Sequence, residues 1–158
     1  MDMTPQSLTI SWLFSLSYML FCIYRPRAAR IFVGWFFIAM GLGINAVLVF
    51  AYPDAFSMIG QEPLVPFYKP IFKDLVPAAP AVWGSLIAVF ETTMGLLILC
   101  KGQATRLGLI GATIFNLCII PLNWVTVSNI CLIIGHVHMV RTQTFDLSFT
   151  EMLRRKAA

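Results

Sequence analysis

The segment PAVWGSLIAVFETTMGLLILC, from Pro80 to Cys100, decides what kind of fold this chain can adopt. Its length matches the about 20 helical residues that cross the hydrocarbon core of a bilayer. Its one charged side chain is Glu91, near the middle of the segment. A charge at that depth costs on the order of 3 kcal/mol, so such a residue usually holds a bundle together, binds a ligand or carries a proton. The segment predicts a membrane-spanning helix with an important acid at its centre.

The composition of the whole chain indicates a membrane protein. Of its 158 residues, 59% are apolar and 11% are charged, whereas a soluble domain has about 45–50% apolar and about 25% charged residues. So few charges could not cover a surface that faces water. The net charge is +4, but the basic residues cluster between apolar runs and do not follow one face. We therefore expect the lipid bilayer as a partner and exclude nucleic acid.

Five apolar runs of suitable length predict an all-α, polytopic membrane helical bundle that forms a single transmembrane domain over residues 1–158. The predicted spans are about 5–24, 31–52, 80–100, 104–120 and 124–140. A cytoplasmic basic tail, 142–158, follows the last span. The last two runs could be one helix broken at Pro121, although Asn123 and Trp124 favour a turn at the membrane interface. An external proline-rich loop, 53–79, separates the second and third spans. Within it, residues 67–75 have the spacing of a short amphipathic helix, and a plain ordered loop is the alternative.

The distribution of Lys and Arg predicts how the chain is threaded. With the N-terminus outside, nine of the eleven basic residues lie in the cytoplasm, and only Lys69 and Lys73 lie outside. The reverse orientation would invert that ratio. The positive-inside rule therefore predicts an external N-terminus and a cytoplasmic C-terminus. We expect the membrane to be a prokaryotic plasma membrane.

Cysteine and histidine point away from redox and metal chemistry within this chain. The four cysteines (Cys22, Cys100, Cys118 and Cys131) show no C-x-x-C spacing, so we interpret them as small packing residues. His136 and His138 are two positions apart and point in different directions on a helix, toward headgroups or a neighbouring helix. No catalytic motif is present. The sequence predicts no metal site and no catalytic residue, and it leaves open whether the protein is part of an enzyme.

Stripes of small residues predict where the helices approach each other. The candidate packing residues are Gly34, Gly41, Gly84, Ala88, Gly95 and Gly108. Small side chains at helical spacing let membrane helices come close together. Because Glu91 lies in the stripe of the third span, we expect it to face the bundle.

Four polar residues near the middle of the spans form the candidate ligand-binding or proton-handling site: Glu91, Asn116, Asn45 and Thr92. Counting about 1.5 Å per residue, Asn116 comes to nearly the depth of Glu91, and Asn45 lies further out. Asn116 is therefore the first candidate partner. Thr92 could instead bond to a backbone carbonyl of its own helix. A purely structural acid, hydrogen-bonded across two helices, remains the alternative to a functional one.

Two stretches resemble the DoxX and DoxX-like membrane proteins. The first is FETTMGLLILCKGQATRLGLIGATIF, Phe90 to Phe115, in which an acid, a Gly-Leu-Leu, a Gly and a Thr-Arg precede the next helix. The second is ARIFVGWFFIAMGLGINA, Ala29 to Ala46, which is similar to the opening helix of that family. The resemblance covers roughly residues 29–140 and implies four DoxX-like helices, with the first span as an extra N-terminal helix. It also implies a link to membrane redox modules, including a subunit of a thiosulfate–quinone oxidoreductase, and to assembly chaperones.

Three functions are compatible with these features. The first is an accessory subunit of a membrane redox module that binds a quinone or another lipophilic molecule near Glu91 and works with a redox protein partner. The second is a membrane chaperone or scaffold without chemistry of its own, alone or as a homo-oligomer. The third is a small proton-coupled transporter that uses Glu91. No inverted repeat supports the transporter.

Overall fold

The structure is a computed structural model that describes residues 4–52 and 63–157. Within these ranges the chain is helical and contains no strand. The helices are α1 (Pro5–Tyr24), α2 (Pro26–Ala51), α3 (residues 68–78), α4 (Pro80–Leu99), α5 (Gln103–Ile119), α6 (Asn129–Thr142) and α7 (Phe149–Ala157). Short 3₁₀ turns, Ile120–Leu122 and Thr126–Ser128, lie between α5 and α6. Most of the external loop predicted at 53–79 is either helical or outside the described residues.

Four helices of the described chain are long and apolar enough to cross a membrane. They are Pro5–Tyr24, Pro26–Ala51, Pro80–Leu99 and Gln103–Leu122. The prediction of an all-helical fold is therefore confirmed for the described residues, and the four apolar helices agree with an integral membrane protein. The second of them begins at Pro26 and not near Ile31, because proline suits the first turn of a helix and allows it to start directly after Arg25. Arg27 and Arg30 consequently belong to a helix and not to a loop.

The fifth apolar run is shorter than a full span. Its helix, α6, has 14 residues, or about 21 Å at about 1.5 Å per residue, against a hydrocarbon core of about 30 Å. It is a separate helix and not a continuation of α5. The connection is fixed by Asn123, whose side-chain oxygen accepts hydrogen bonds from the backbone N–H groups of Val125 (2.9 Å) and Thr126 (3.0 Å).

The helices form a closed arrangement in which each long helix has two principal neighbours. α2 packs against α4, α4 against α5, α5 against α6, α6 against α1, and α1 against α2. At the α2–α4 contact, small residues let the two backbones approach each other closely. A Cβ atom added at Gly95 would lie 2.6 Å from the carbonyl oxygen of Gly34, and one at Gly41 would lie 2.6 Å from the carbonyl oxygen of Ala88. Both distances are too short for any side chain.

The middle of α2 is not a regular α-helix. Residues Ala39–Asn45 form π-helical turns, with α-helix before and after them. A π-helical turn widens a helix locally and occurs frequently at functional sites. Asn45 is its last residue, so the widened segment sets the direction in which that side chain points.

At the end of the bundle where α2 begins, α7 is stabilised by a capping box and an ion pair. The backbone N–H of Ser148 donates to Glu151 Oε2 (2.8 Å), and the N–H of Glu151 donates to Ser148 Oγ (3.3 Å). Lys101 Nζ lies 2.6 Å from Glu151 Oε1. The bond from Lys101, with those from Ser148, lowers the pKa of Glu151 from 4.5 to about 2. Because the docked state lowers the pKa of Glu151, its ionised carboxylate stabilises the docked tail at any pH above the ordinary pKa of 4.5. This contribution is lost as the pH falls toward about 2.

Replacing Gly95 by Ala tests the α2–α4 contact. The added methyl group would meet the Gly34 carbonyl and the Ile38 side chain at less than 3 Å, and overpacking of this kind costs about 1–3 kcal/mol. Gly95→Ala should therefore lower the thermal stability of the purified protein in detergent. Gly43→Ala is the matched control, because a Cβ there meets nothing within 4 Å. Equal stability of the two variants would show that α2 and α4 do not touch at Gly95.

Cysteine labelling tests the predicted orientation. Cys100 and Cys118, the exposed native thiols, are first replaced by Ala. A thiol introduced as Lys69→Cys should then react with a membrane-impermeant maleimide from outside the cell, because the positive-inside rule places Lys69 there. Arg106→Cys, at the opposite end of the bundle, should react only after the membrane is opened. Reaction in the reverse pattern would overturn the predicted threading.

Candidate functional site

Glu91 lies at the interface of α4 and α2, inside the membrane-spanning part of the bundle. Its side chain is 4% exposed, as expected for an acid that faces other helices. The side-chain amide of Asn45 on α2 donates a hydrogen bond to Glu91 Oε2. The acid of α4 therefore has a polar partner in the apolar part of α2.

The local shape of α2 and α4 brings this pair together. Gly41 lies one turn before Asn45, and a Cβ there would also lie 2.6 Å from the hydroxyl oxygen of Thr92. The absence of a side chain at Gly41 lets α2 press against the turn of α4 that carries Glu91. The π-helical segment then turns Asn45 toward the carboxyl group. Thr92, a predicted site residue, does not bond to Glu91, because its hydroxyl donates to the backbone oxygen of Ala88 at 2.7 Å.

The predicted pairing of Glu91 with Asn116 is wrong. Asn116 is buried, at 3% exposure, but its amide donates to the carbonyl oxygen of Ala112, four residues earlier on α5, at 2.8 Å. The depth of a residue in the membrane does not determine the face of the helix from which its side chain projects. An Asn can satisfy its amide on its own helix, so it needs no partner on α4.

The predicted packing residues lie on the helix interfaces in the following way. Gly34 and Gly95 face each other, and Gly41 faces Ala88. Gly108 on α5 approaches Ile98 on α4, where an added Cβ would lie 2.8 Å from the backbone nitrogen. Gly84 is buried on the same helix as Ala88.

A second polar cluster, between α1 and α6, was not predicted as a site. His136 is fully buried, and its Nε2 shares a hydrogen bond with the hydroxyl of Tyr18. The Nδ1 of His136 has no partner among the described residues. One helical turn or more away, Ser15 donates to Ser128 (3.0 Å), whose hydroxyl donates to the carbonyl of Val125 (2.9 Å).

The sequence held a signal for part of this cluster. Ser15 and Tyr18 fall on one face of α1, which marks a polar stripe that needs partners. Nothing in the sequence showed that α6 and the 3₁₀ turn before it supply them through His136 and Ser128, because that depends on which helices are neighbours.

The Glu91–Asn45 pair leaves hydrogen-bonding capacity unused. No second hydrogen bond to the Glu91 carboxyl group is found among the described residues, although a carboxyl group offers two oxygens. Asn45 is only half-buried, and its neighbours Leu42 and Ile44 are 57% and 47% exposed on the surface that would face lipid. In its neutral form, the Glu91 carboxyl group can donate one O–H bond to a further acceptor. In the described part of the chain no cluster of His, Cys, Asp and Glu could hold a metal.

Comparison with known proteins gives no relative: no family model, no curated protein and no solved structure matches this chain.

A double-mutant cycle tests which residue bonds to Glu91. Asn45→Ala and Glu91→Ala should be coupled by about 0.6 kcal/mol, and by up to about 1.7 kcal/mol, the range measured for hydrogen bonds between membrane helices. The stability of each variant is measured by reversible unfolding in detergent micelles.

The cycle of Asn116→Ala with Glu91→Ala is the control and should show additive changes, because Asn116 bonds within its own helix. Coupling in the Asn116 cycle, with additivity in the Asn45 cycle, would contradict the geometry of the site.

Proposed function

We propose that this protein binds a lipid-soluble carbonyl compound, with a quinone as the first candidate, near the Glu91–Asn45 pair, and that it does so as an accessory subunit of a membrane redox module. The observation that carries the proposal is the Glu91–Asn45 pair at the end of a π-helical segment. An acid within a membrane span is a functional site by default, because it costs more than an amide that would pack equally well.

The chemistry of the pair matches a quinone better than a charged solute. A neutral carboxyl group donates through its O–H, and the Asn45 side chain adds an amide that both donates and accepts. Quinone carbonyls accept hydrogen bonds, and their rings and tails require apolar walls. Leu42 and Ile44 are exposed beside Asn45 and supply such a wall. Pockets for small molecules are built in this way, from apolar surface and a few convergent polar groups.

The family resemblance supports the redox context. The resembling stretches, Ala29–Ala46 and Phe90–Phe115, carry both members of the pair, Asn45 and Glu91. On this proposal α2, α4, α5 and α6 are the four DoxX-like helices, and α1 is the additional one. The partner would be a redox protein in the same membrane, the plasma membrane of a prokaryote, and the redox chemistry would take place on that partner.

A membrane scaffold or chaperone is the second candidate, and one observation favours it. The bond from Asn45 already joins α2 to α4, and hydrogen bonds between spans contribute to helix association. On this alternative, Glu91 stabilises the bundle and binds no ligand.

The substitution Glu91→Gln separates the two candidates. Gln can still accept the hydrogen bond from Asn45, so the bundle should keep its thermal stability, but it has lost the acidic O–H. If Glu91 binds a quinone, the variant purified from membranes should carry at least about tenfold less quinone, equal to about 1.4 kcal/mol. Bound quinone is measured by lipid extraction and by the absorbance change on reduction.

Thr93→Val is the matched control. Thr93 lies two residues from Glu91 on an exposed part of α4, and its hydroxyl donates only to the Val89 carbonyl of the same helix (2.7 Å). This variant should retain the quinone of the parent. A Glu91→Gln protein with full stability and full quinone content would refute the ligand role, and a parent without quinone but with a stoichiometric protein partner would favour the scaffold.

A further inference from the structure

A cavity of about 630 Å³ lies at the end of the bundle where α2 begins. Its walls come from the first turns of α2, from residues 143–147, and from α7. Arg30, at this cavity, is fifteen residues from Asn45, which corresponds to about 22 Å along the helix. The cavity is therefore separate from the Glu91–Asn45 pair.

Arg30 lines this cavity and is unusual because its charged side chain is buried. Its side chain is 4% exposed. One terminal nitrogen, Nη2, donates to the backbone oxygen of Leu147 at 2.7 Å, and the guanidinium carbon lies 5.8 Å from the centre of the Phe145 ring. The Nε has no partner among the described residues. A guanidinium group has five N–H donors in a planar fork that fits phosphate and carboxylate.

No carboxylate of the described residues neutralises Arg30. The one ion pair among them joins Lys101 to Glu151. Asp146 lines the same cavity, but its carboxylate forms no ion pair with Arg30 and accepts a hydrogen bond from the hydroxyl of Thr144 at 2.9 Å. A buried cation without a counter-ion is strongly unfavourable. An anion bound in the cavity would supply the missing charge.

We infer that this cavity binds a phosphate group through Arg30, with Arg27 as a second basic wall. The remaining walls are largely apolar and include Ile31, Phe149 and Leu153. Leu153 is 52% exposed, so apolar surface continues from the cavity to the outside of the bundle. These walls suit the headgroup and upper chains of an anionic phospholipid, and a soluble phosphate compound would share the same contact with Arg30.

α7 forms one side of this site, and its docking does not depend on the ligand alone. The ion pair between Lys101 and Glu151 ties the helix to the start of α5. The backbone N–H of Gly102 also donates to the Phe145 carbonyl at 2.7 Å. The cavity is therefore expected to be present before the phosphate group binds.

Binding of defined probes to the full chain in detergent tests this inference. The probes are dioleoylphosphatidylglycerol, dioleoylphosphatidylcholine and inorganic phosphate, and the readouts are native mass spectrometry and thermal stabilisation. We expect one phosphatidylglycerol to bind in preference to phosphatidylcholine. Arg30→Gln should weaken that binding by about tenfold or more, because a charged hydrogen bond to phosphate is lost. Arg25→Gln, an exposed basic residue outside the cavity, should bind like the parent.

A second variant covers the case in which Arg30→Gln does not fold. Leu153→Glu changes an exposed position and brings a negative charge to the wall of the cavity, so it should also weaken phosphatidylglycerol binding. Binding of inorganic phosphate that depends on Arg30, without lipid preference, would support the phosphate site and assign it to a soluble compound. The inference is overturned if no probe binds, or if the folded Arg30 and Leu153 variants bind phosphatidylglycerol as tightly as the parent.

Discussion

The hydrogen bond from Asn45 to Glu91 is the interaction on which the centre of this bundle depends. Hydrocarbon offers no water to satisfy a polar side chain, so each one must find a partner within the protein. The bond requires α2 and α4 to lie close together, which the small residues Gly41 and Ala88 allow. It also requires Asn45 to point toward α4, which the π-helical turns of α2 bring about. Packing, helix geometry and polar pairing are thus parts of one arrangement.

The same constraint organises the other interfaces. α1 packs against α6 and the 3₁₀ turn before it, where His136 is paired with Tyr18 and Ser128 with Ser15, so this contact also contains paired polar side chains. At the end of the bundle where α2 begins, the buried Arg30 has a backbone carbonyl and an aromatic ring but no carboxylate among the described residues. Glu91 and Arg30 are therefore two buried ionisable groups whose hydrogen-bonding capacity is not fully used among the described residues. They lie too far apart to serve each other.

The sequence predicted the class of fold because hydrophobic length and composition are local properties. The acid in the middle of an apolar run and the stripes of small residues followed from spacing alone. The start of α2 was wrong by about five residues, since a proline that can open a helix was assigned to a loop. The fifth run proved to be a short helix after a 3₁₀ turn, because Asn123 fixes the backbone that precedes it.

The partners of the polar residues could not be predicted in this way. Asn116 and Asn45 are the same residue type, and depth favoured Asn116, but only the neighbour relations of the helices and the π-helical turns show that Asn45 reaches Glu91. The burial of His136 and Arg30 likewise depends on how α1, α6 and α7 dock. Solid-state NMR of the protein in lipid bilayers, with ¹⁵N in the Asn side chains and ¹³C in the Glu carboxyl groups, measures the central contact directly. A dipolar coupling between Asn45 Nδ2 and the Glu91 carboxyl carbon, lost in Asn45→Ala, is the expected result; its absence, or a coupling of Glu91 to Asn116, would contradict it.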